Sequence, residues 1–294
     1  MYRFIISSVL CVIAVNHAAW SEEIPVIWQI TEGLQAPESA YVDHDSGILF
    51  LSQIGEGGGD GKDGDGWISK LSVQGEMLEN KWVEGFNSPK GLRSHEGTLW
   101  VSDIDRIVAI NIEAGEVIKE VPVPEAQFLN DLATGPDGAV YVADMLASKV
   151  YKYHNDELSV YLEGSLIESP NGLLVSDGQL ILGAWGLNIQ EDFSTQILGR
   201  LIEIDMTTLK RRVITTKPTG NLDGVESDGL GGYTVTDWRA GKVFHIAGNG
   251  TTRTLLEFDM GAADHAFLID SKTLILPHMM DNTLTAYDLS EAIK

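Results

Sequence analysis

Between positions 129 and 162 the chain reads Leu129-Asn130-Asp131, a turn at Pro136-Asp137-Gly138, then Ala139-Val140-Tyr141-Val142, Lys149-Val150-Tyr151-Lys152-Tyr153 and Leu158-Ser159-Val160-Tyr161-Leu162. A polar opening followed by short runs rich in β-branched and aromatic residues, with turn residues between them, predicts four antiparallel strands. The opening recurs at Pro37-Glu38-Ser39, Pro89-Lys90-Gly91, Pro170-Asn171-Gly172, Leu222-Asp223-Gly224 and Asp264-His265-Ala266, at intervals of about 40 to 52 residues. Six such units describe an all-β, six-bladed β-propeller, since four strands and about 40 residues make one blade. Too few residues follow His265 for four strands. The run Val26 to Thr31 stands before the first opening as Val160 to Glu163 stands before the fourth, so it is expected to supply the outer strand of the last blade and close the ring.

The chain has 294 residues, 43 Asp and Glu against 20 Lys and Arg, and a net charge of −23. Such a charge repels phosphate backbones and anionic lipid, so neither a nucleic-acid partner nor membrane insertion of the mature chain is expected, and bound cations suit it better. Arg3, the apolar stretch Phe4 to Val15 and the small residues around Trp20 in Ala19-Trp20-Ser21 predict a cleaved signal peptide over 1–21 and a single domain over 22–294. The destination is periplasmic or secreted. Cys11, the only cysteine, falls within that leader, so no disulfide is expected in the mature protein.

In a propeller, equivalent residues at the start of each innermost strand ring the central axis. Glu38, Lys90, Asn130, Asn171, Asp223 and His265 are therefore expected to be neighbours, and all six are polar. Two carboxylates and two carboxamides suit one hard divalent cation, with Ca²⁺ first and Mg²⁺, Mn²⁺ or Zn²⁺ as other candidates. The competing arrangement is a metal-free network in which Lys90 neutralises Glu38 and Asp223. A second register, Gln53, Asp103, Asp144, Ala184, Asp237 and His278, ends the second strands and returns to the same face. Its three aspartates read as turn caps, and His278 as a general base. Insertions at Ile54 to Gly66 and Leu187 to Ile197 belong to opposite blades and are expected to overhang that mouth, the first as an acidic, glycine-rich lid. No nucleophile elbow, HExxH helix or paired-cysteine metal site is present.

Pro37-Glu38-Ser39, Asn130-Asp131, Ser169-Pro170-Asn171-Gly172-Leu173 and Leu222-Asp223-Gly224-Val225 resemble the senescence-marker-protein, gluconolactonase and regucalcin-like family of six-bladed β-propellers, in an exported bacterial branch. The resemblance spans essentially the whole mature chain. It implies one divalent cation on Glu38, Asn171 and Asp223, substrate contacts at Asn130 and Asp131, and metal-dependent hydrolysis of a small-molecule lactone or ester. Asp223, Lys90, His265 and His278 are then the candidates for catalytic roles. Phe128 departs from the pattern, because sugar-lactonase members carry an arginine two residues before the asparagine that is Asn130 here. The alternative function is a non-catalytic, metal-bearing periplasmic propeller that binds a small ligand or a protein.

Overall fold

The computed structural model describes residues 24–294. The expected signal peptide lies outside the described residues. Six four-stranded antiparallel sheets follow one another around an axis. Blade 3 shows the pattern: Leu129–Thr134 innermost, then Val140–Asp144, Lys149–His154 and Glu157–Glu163, each joined to the next by a tight turn. In blade 6 only Ala266–Leu268, Thr273–His278 and Thr283–Asp288 come from the C-terminal end. Its outer strand is Val26–Ile30, paired antiparallel with Thr283–Asp288, which is the closure that the sequence predicts. A second tie lies near the axis, where Ala40 N donates to Asp264 O at 3.1 Å and Asp264 N to Glu38 O at 3.0 Å. With both seams paired, blade 6 has its full four strands and is tied to blade 1 near the axis.

Alternating residues of each blade bury both faces of its sheet. One apolar cluster fills each gap between neighbours: Phe50, Ile68 and Phe86 meet Leu92, Val101 and Ile110 between blades 1 and 2, and Leu49 and Leu51 meet Ile275 and Leu284 between blades 1 and 6. This burial must hold the fold without disulfides, since the sequence has a single cysteine, at position 11.

Five innermost strands carry an irregularity at their second residue, a detail the strand pattern does not predict. In blade 1 the pairing steps from Pro37 opposite Gln53 to Ala40 opposite Leu51, leaving Glu38 and Ser39 across from Ser52 alone. The same shift follows Pro89, Leu129, Pro170 and Leu222. A bulge frees the ring residue from the ladder and turns it toward the axis. The freed amides are satisfied by hydroxyls of the second strand: Ser39 N donates to Ser52 Oγ at 2.9 Å and Gly224 N to Thr236 Oγ1 at 2.8 Å. Close approach of neighbouring backbones at these bulges also explains the glycine after the ring residue. A Cβ on Gly172 would collide with the Asp223 carbonyl oxygen, and one on Gly91 would stand 2.6 Å from Asp131 Cα. Gly172→Ala is therefore expected to destabilise the protein by ~1–3 kcal/mol through overpacking at the axis, measurable as a lowered thermal midpoint. An unchanged midpoint would show that the axis yields more readily than the packing implies.

Candidate functional site

The bulges deliver Glu38, Lys90, Asn130, Asn171 and Asp223 to one face of the axis, where all five line a single cavity of about 260 Å³. Glu38, Lys90 and Asp223 are 4%, 2% and 2% exposed, so their charges sit almost wholly out of water. Burial, followed by the negative charge of Asp223, holds the Glu38 carboxyl well above the ordinary carboxylate range. Burial, then Asp264 and Asp131, does the same to Asp223. Asn171 Nδ2 donates to Asp223 Oδ1 at 2.9 Å, which turns the amide oxygen away from Asp223. That oxygen, Asn130 Oδ1 and Glu38 Oε2 are buried without a hydrogen-bond partner. Buried oxygens are rarely left so, and several at one floor amount to an unfilled demand for positive charge or a donor.

Among the described residues no group of three or more His, Cys, Asp and Glu side chains is arranged to hold a metal ion. The set that converges here instead combines two carboxylates with two carboxamides, all hard oxygen donors. It fits a divalent cation of the Ca²⁺ or Mg²⁺ kind, which would satisfy the orphaned oxygens and relieve the repulsion between Glu38 and Asp223.

Lys90 does not meet the carboxylates as the metal-free arrangement requires. Its Nζ donates to Gly59 O at 2.7 Å, Ser88 O at 3.0 Å and Ser88 Oγ at 2.8 Å, all neutral oxygens, and lies 4.7 Å from the Phe128 ring centre. Burial pushes its pKa down to about 8, against the opposing pull of Glu38 and Asp103. The insertion after Gln53 is thereby moored to the ring through Gly59. Further ties run from Glu56 N to Asp65 Oδ2 at 2.8 Å and from Lys62 Nζ to Asp105 Oδ2 at 2.6 Å. The other insertion is an ordered two-stranded hairpin, Gly186–Ile189 with Thr195–Leu198, rather than an open loop. Both reach the mouth: Gly59 and Asp60 of the first, and Asp192 and Phe193 of the second, line the cavity.

Three of the candidate residues stand away from that cavity, which corrects a reading of the two rings as one site. His265 is fully buried, its Nε2 2.8 Å from Thr234 Oγ1, and burial followed by the nearby Arg93 pushes its pKa down to about 3. A ring so placed stays neutral and does not face the ligand space. His278 turns its Nε2 to Tyr287 Oη at 3.0 Å and meets the Phe258 ring edge-on at 4.6 Å, so it is not aimed at the floor. Asp131 accepts from the Leu132 and Leu173 amides at 2.7 Å each, tying blade 3 to blade 4 below the cavity. The second-ring aspartates act as turn caps. Asp103 accepts from Asn87 N and Ser88 N, and Asp144 from Gln127 N and Phe128 N, so each fixes the loop that leads into its blade's inner strand.

Beneath the floor the axis holds a buried ionic cluster that the ring alignment passed over. Arg93 Nη2 lies 3.1 Å from Glu226 and 3.8 Å from Asp131, and Arg93 Nη1 lies 3.4 Å from Asp264. Burial works against the guanidinium charge, but the three carboxylates outweigh it and hold its pKa above the ordinary value. Both Arg93 and Glu226 lie three residues after a ring position, Lys90 and Asp223, on blades that face each other. Carrying the register three residues further would have found them.

No protein-family model and no curated protein matches the chain in sequence. Among solved structures it is similar to virginiamycin B lyase from Staphylococcus aureus with quinupristin, at 15% identity over 89% of this chain and 98% of the other, with a TM-score of 0.61. A gluconolactonase from Xanthomonas campestris is similar at 16% identity, over 87% of this chain and 86% of the other, with a TM-score of 0.63. A chain of a nidogen/laminin complex is similar at 15% identity, over 83% of this chain and 90% of the other, with a TM-score of 0.64. At such identities the likeness shows the β-propeller fold alone. Two neighbours are named as enzymes and the third is a protein complex, so function has to be argued from the site.

The charge pattern carries a pH signature. Glu38, Asp131, Asp223 and Glu226 all have raised pKa values, Glu226 reaching about 7 through burial against the pull of Arg93. Where a native carboxyl keeps a proton that the unfolded chain has lost, folding binds protons, and stability falls as pH rises. Below the usual histidine range, buried neutral His265 and His278 act in the opposite sense. Chelator-treated protein is therefore expected to melt at progressively lower temperature from about pH 6.5 to 8, and an added divalent cation to recover the loss at the upper end. A flat melting profile over that window would remove the argument from buried, repelling carboxylates.

Proposed function

We propose that this chain is a divalent-cation-dependent hydrolase that opens a lactone or ester in the axial cavity, and that it works outside the cytoplasm after removal of residues 1–21. The observation that carries this reading is the meeting of three orphaned buried oxygens, on Glu38, Asn130 and Asn171, with Asp223 and a buried ammonium at one floor. Glu38, Asn171 and Asp223 would hold the cation, with Asn130 beside it. When bound, the cation supplies Lewis-acid polarisation of a carbonyl and eases ionisation of water.

The remaining work falls to the chain. Asp223, its carboxylate fixed by the Asn171 amide, takes the proton that water gives up as its oxygen bonds to the acyl carbon. Lys90 is kept charged at neutral pH and stands at the same cavity, where its positive charge, its three N–H donors being held by Gly59 and Ser88, stabilises the oxygen that becomes negative. The acyl C–O bond then breaks and the leaving oxygen regains the proton, giving a hydroxy acid from a lactone or an acid and an alcohol from an ester. Asn130 orients the carbonyl or the water through its unengaged amide oxygen and its amino group.

Activity on a panel of aromatic, aliphatic and sugar lactones, assayed with and without chelator, tests the reading. Turnover that disappears with chelator and returns with Ca²⁺, Mg²⁺, Mn²⁺ or Zn²⁺ is the expected result. Asp223→Ala is expected to abolish the rise in melting temperature that the cation produces. Lys90→Ala is expected to keep cation affinity while turnover drops by up to ~10²–10³-fold, the cost of removing one stabilising group from the oxyanion. Wild-type turnover is expected to fall above pH of about 8 as Lys90 loses its proton. A cation-dependent melting shift without turnover on any lactone or ester would favour the binding propeller instead. A melting curve indifferent to every cation would overturn both.

A further inference from the structure

We propose that the ligand of the axial cavity is a neutral, predominantly aromatic molecule with one polar head, selected by Phe128, Trp185, Phe193 and Trp238, and not a polyhydroxylated sugar derivative. The proposal rests on the hydrolase reading only in taking the polar floor as the end that meets the reactive group.

The floor and the walls of the cavity differ sharply in chemistry. Apart from the floor residues and the charged side chains of Asp60, Asp192 and Arg239, the lining is mainly aromatic and thioether, with Met260 and Met279 beside the four rings. Phe128 and Phe193 pack at 5.5 Å between ring centres and 58° between planes, and Trp185 and Trp238 at 6.2 Å and 45°. These pairs form one cluster with Ile104 and Met145, so the walls are braced. The Trp185 indole N–H, the one polar atom that its ring could turn to a ligand, is spent on Phe193 O at 2.9 Å. Phe193 itself stands in the hairpin turn of the blade 4 insertion with a positive φ of 61°, a conformation disfavoured for a bulky residue. That backbone, the Trp185 bond and the Phe193 N to Gln190 O bond at 2.9 Å together aim its ring at Phe128. The insertion thus brings an aromatic face to the mouth rather than a set of donors.

A sugar ring entering between these walls would strip water from hydroxyls on both of its faces and find few partners for those that meet the rings, a cost for each unpaired group. At the rim Arg239 is turned to Asp192, with Asp192 O at 2.6 Å and Asp192 Oδ2 at 3.7 Å, which leaves Asp60 as the main polar side chain that a hydroxyl could meet there. A flat apolar body loses nothing there and gains ring contacts with all four aromatics. Charge narrows the class further. At the rim Asp60 and Asp192 outnumber Arg239, and the chain as a whole carries a net charge of −23, so the approach to the cavity disfavours anions and the ligand enters neutral.

Binding measured apart from turnover tests the proposal. The probes are chroman, an aromatic cyclic ether with no carbonyl to hydrolyse, and 1,5-anhydro-D-glucitol, its polyhydroxylated counterpart, each titrated calorimetrically into Ca²⁺-loaded wild-type protein. Chroman is expected to bind at least about tenfold more tightly, and Phe193→Ala to weaken it about tenfold. Phe193 lies on a surface hairpin, so its loss leaves the blades intact, which an unchanged melting temperature will verify. Phe128→Arg is expected to weaken chroman and strengthen the anhydroglucitol. Equal or tighter binding of the anhydroglucitol, or a Phe193→Ala variant that binds chroman as wild type does, would sink the proposal. The hydrolase reading fails separately: chroman bound with no turnover of dihydrocoumarin or of any other lactone or ester removes the hydrolase and leaves this ligand class standing. Turnover of a sugar lactone by protein that ignores chroman does the reverse.

Discussion

Everything in this molecule converges on the axis, where six innermost strands approach so closely that side chains must leave the sheets or vanish. The bulge at the second residue of five of these strands resolves the crowding in two ways at once. It swings one polar side chain inward, and it brings the next residue against the neighbouring blade, where only a glycine or a small or hydrogen-bonded side chain fits. Ser39 shows the second solution, its Oγ donating to Asp264 Oδ2 at 2.6 Å. The site is therefore a by-product of the packing that closes the ring, and its polar residues are held by the same contacts that hold the blades together.

That geometry has an electrostatic cost, met differently at two depths. In the lower layer Arg93 offsets Asp131, Asp264 and Glu226, and the Tyr41 ring lies 5.4 Å from the guanidinium. In the upper layer the single cation, Lys90, spends its hydrogen bonds on Ser88 and Gly59, leaving Glu38 and Asp223 to repel each other across the floor. Removing one member of a buried ion cluster leaves uncompensated charge, so the lower layer behaves as structure. The upper layer has no such internal pairing, and buried oxygens of Glu38, Asn130 and Asn171 there are left without a partner.

Lys90 also joins the lid to the floor. Because Gly59 O accepts from its ammonium, the acidic loop and the ring position share one hydrogen-bond donor. On the far side of the mouth, the hairpin of blade 4 fixes Phe193 against Phe128 and Trp185. Two insertions on opposite blades thus shape the mouth by different means, one polar and moored through backbone carbonyls, the other apolar and locked by ring packing.

Repetition made the fold legible in the sequence alone. Four strand-forming runs and one polar opening, repeated six times, fix the blade count, and the place of Val26–Ile30 before the first opening fixes how the ring closes. Register then placed Glu38, Lys90, Asn130, Asn171 and Asp223 together, because a residue's rank along the innermost strand sets its height on the axis. Register does not say where a side chain points. Only the tertiary structure turned Lys90 toward Gly59, His265 toward Thr234 and His278 toward Tyr287, since each of those choices depends on a hydrogen-bond partner at least nine residues away in the chain. In the aromatic wall Trp185 and Trp238 share a repeat position, one residue after Ala184 and Asp237, and register brings them together, whereas Phe193 lies in the blade 4 insertion, outside the repeat, and only the fold of that hairpin sets it against Phe128.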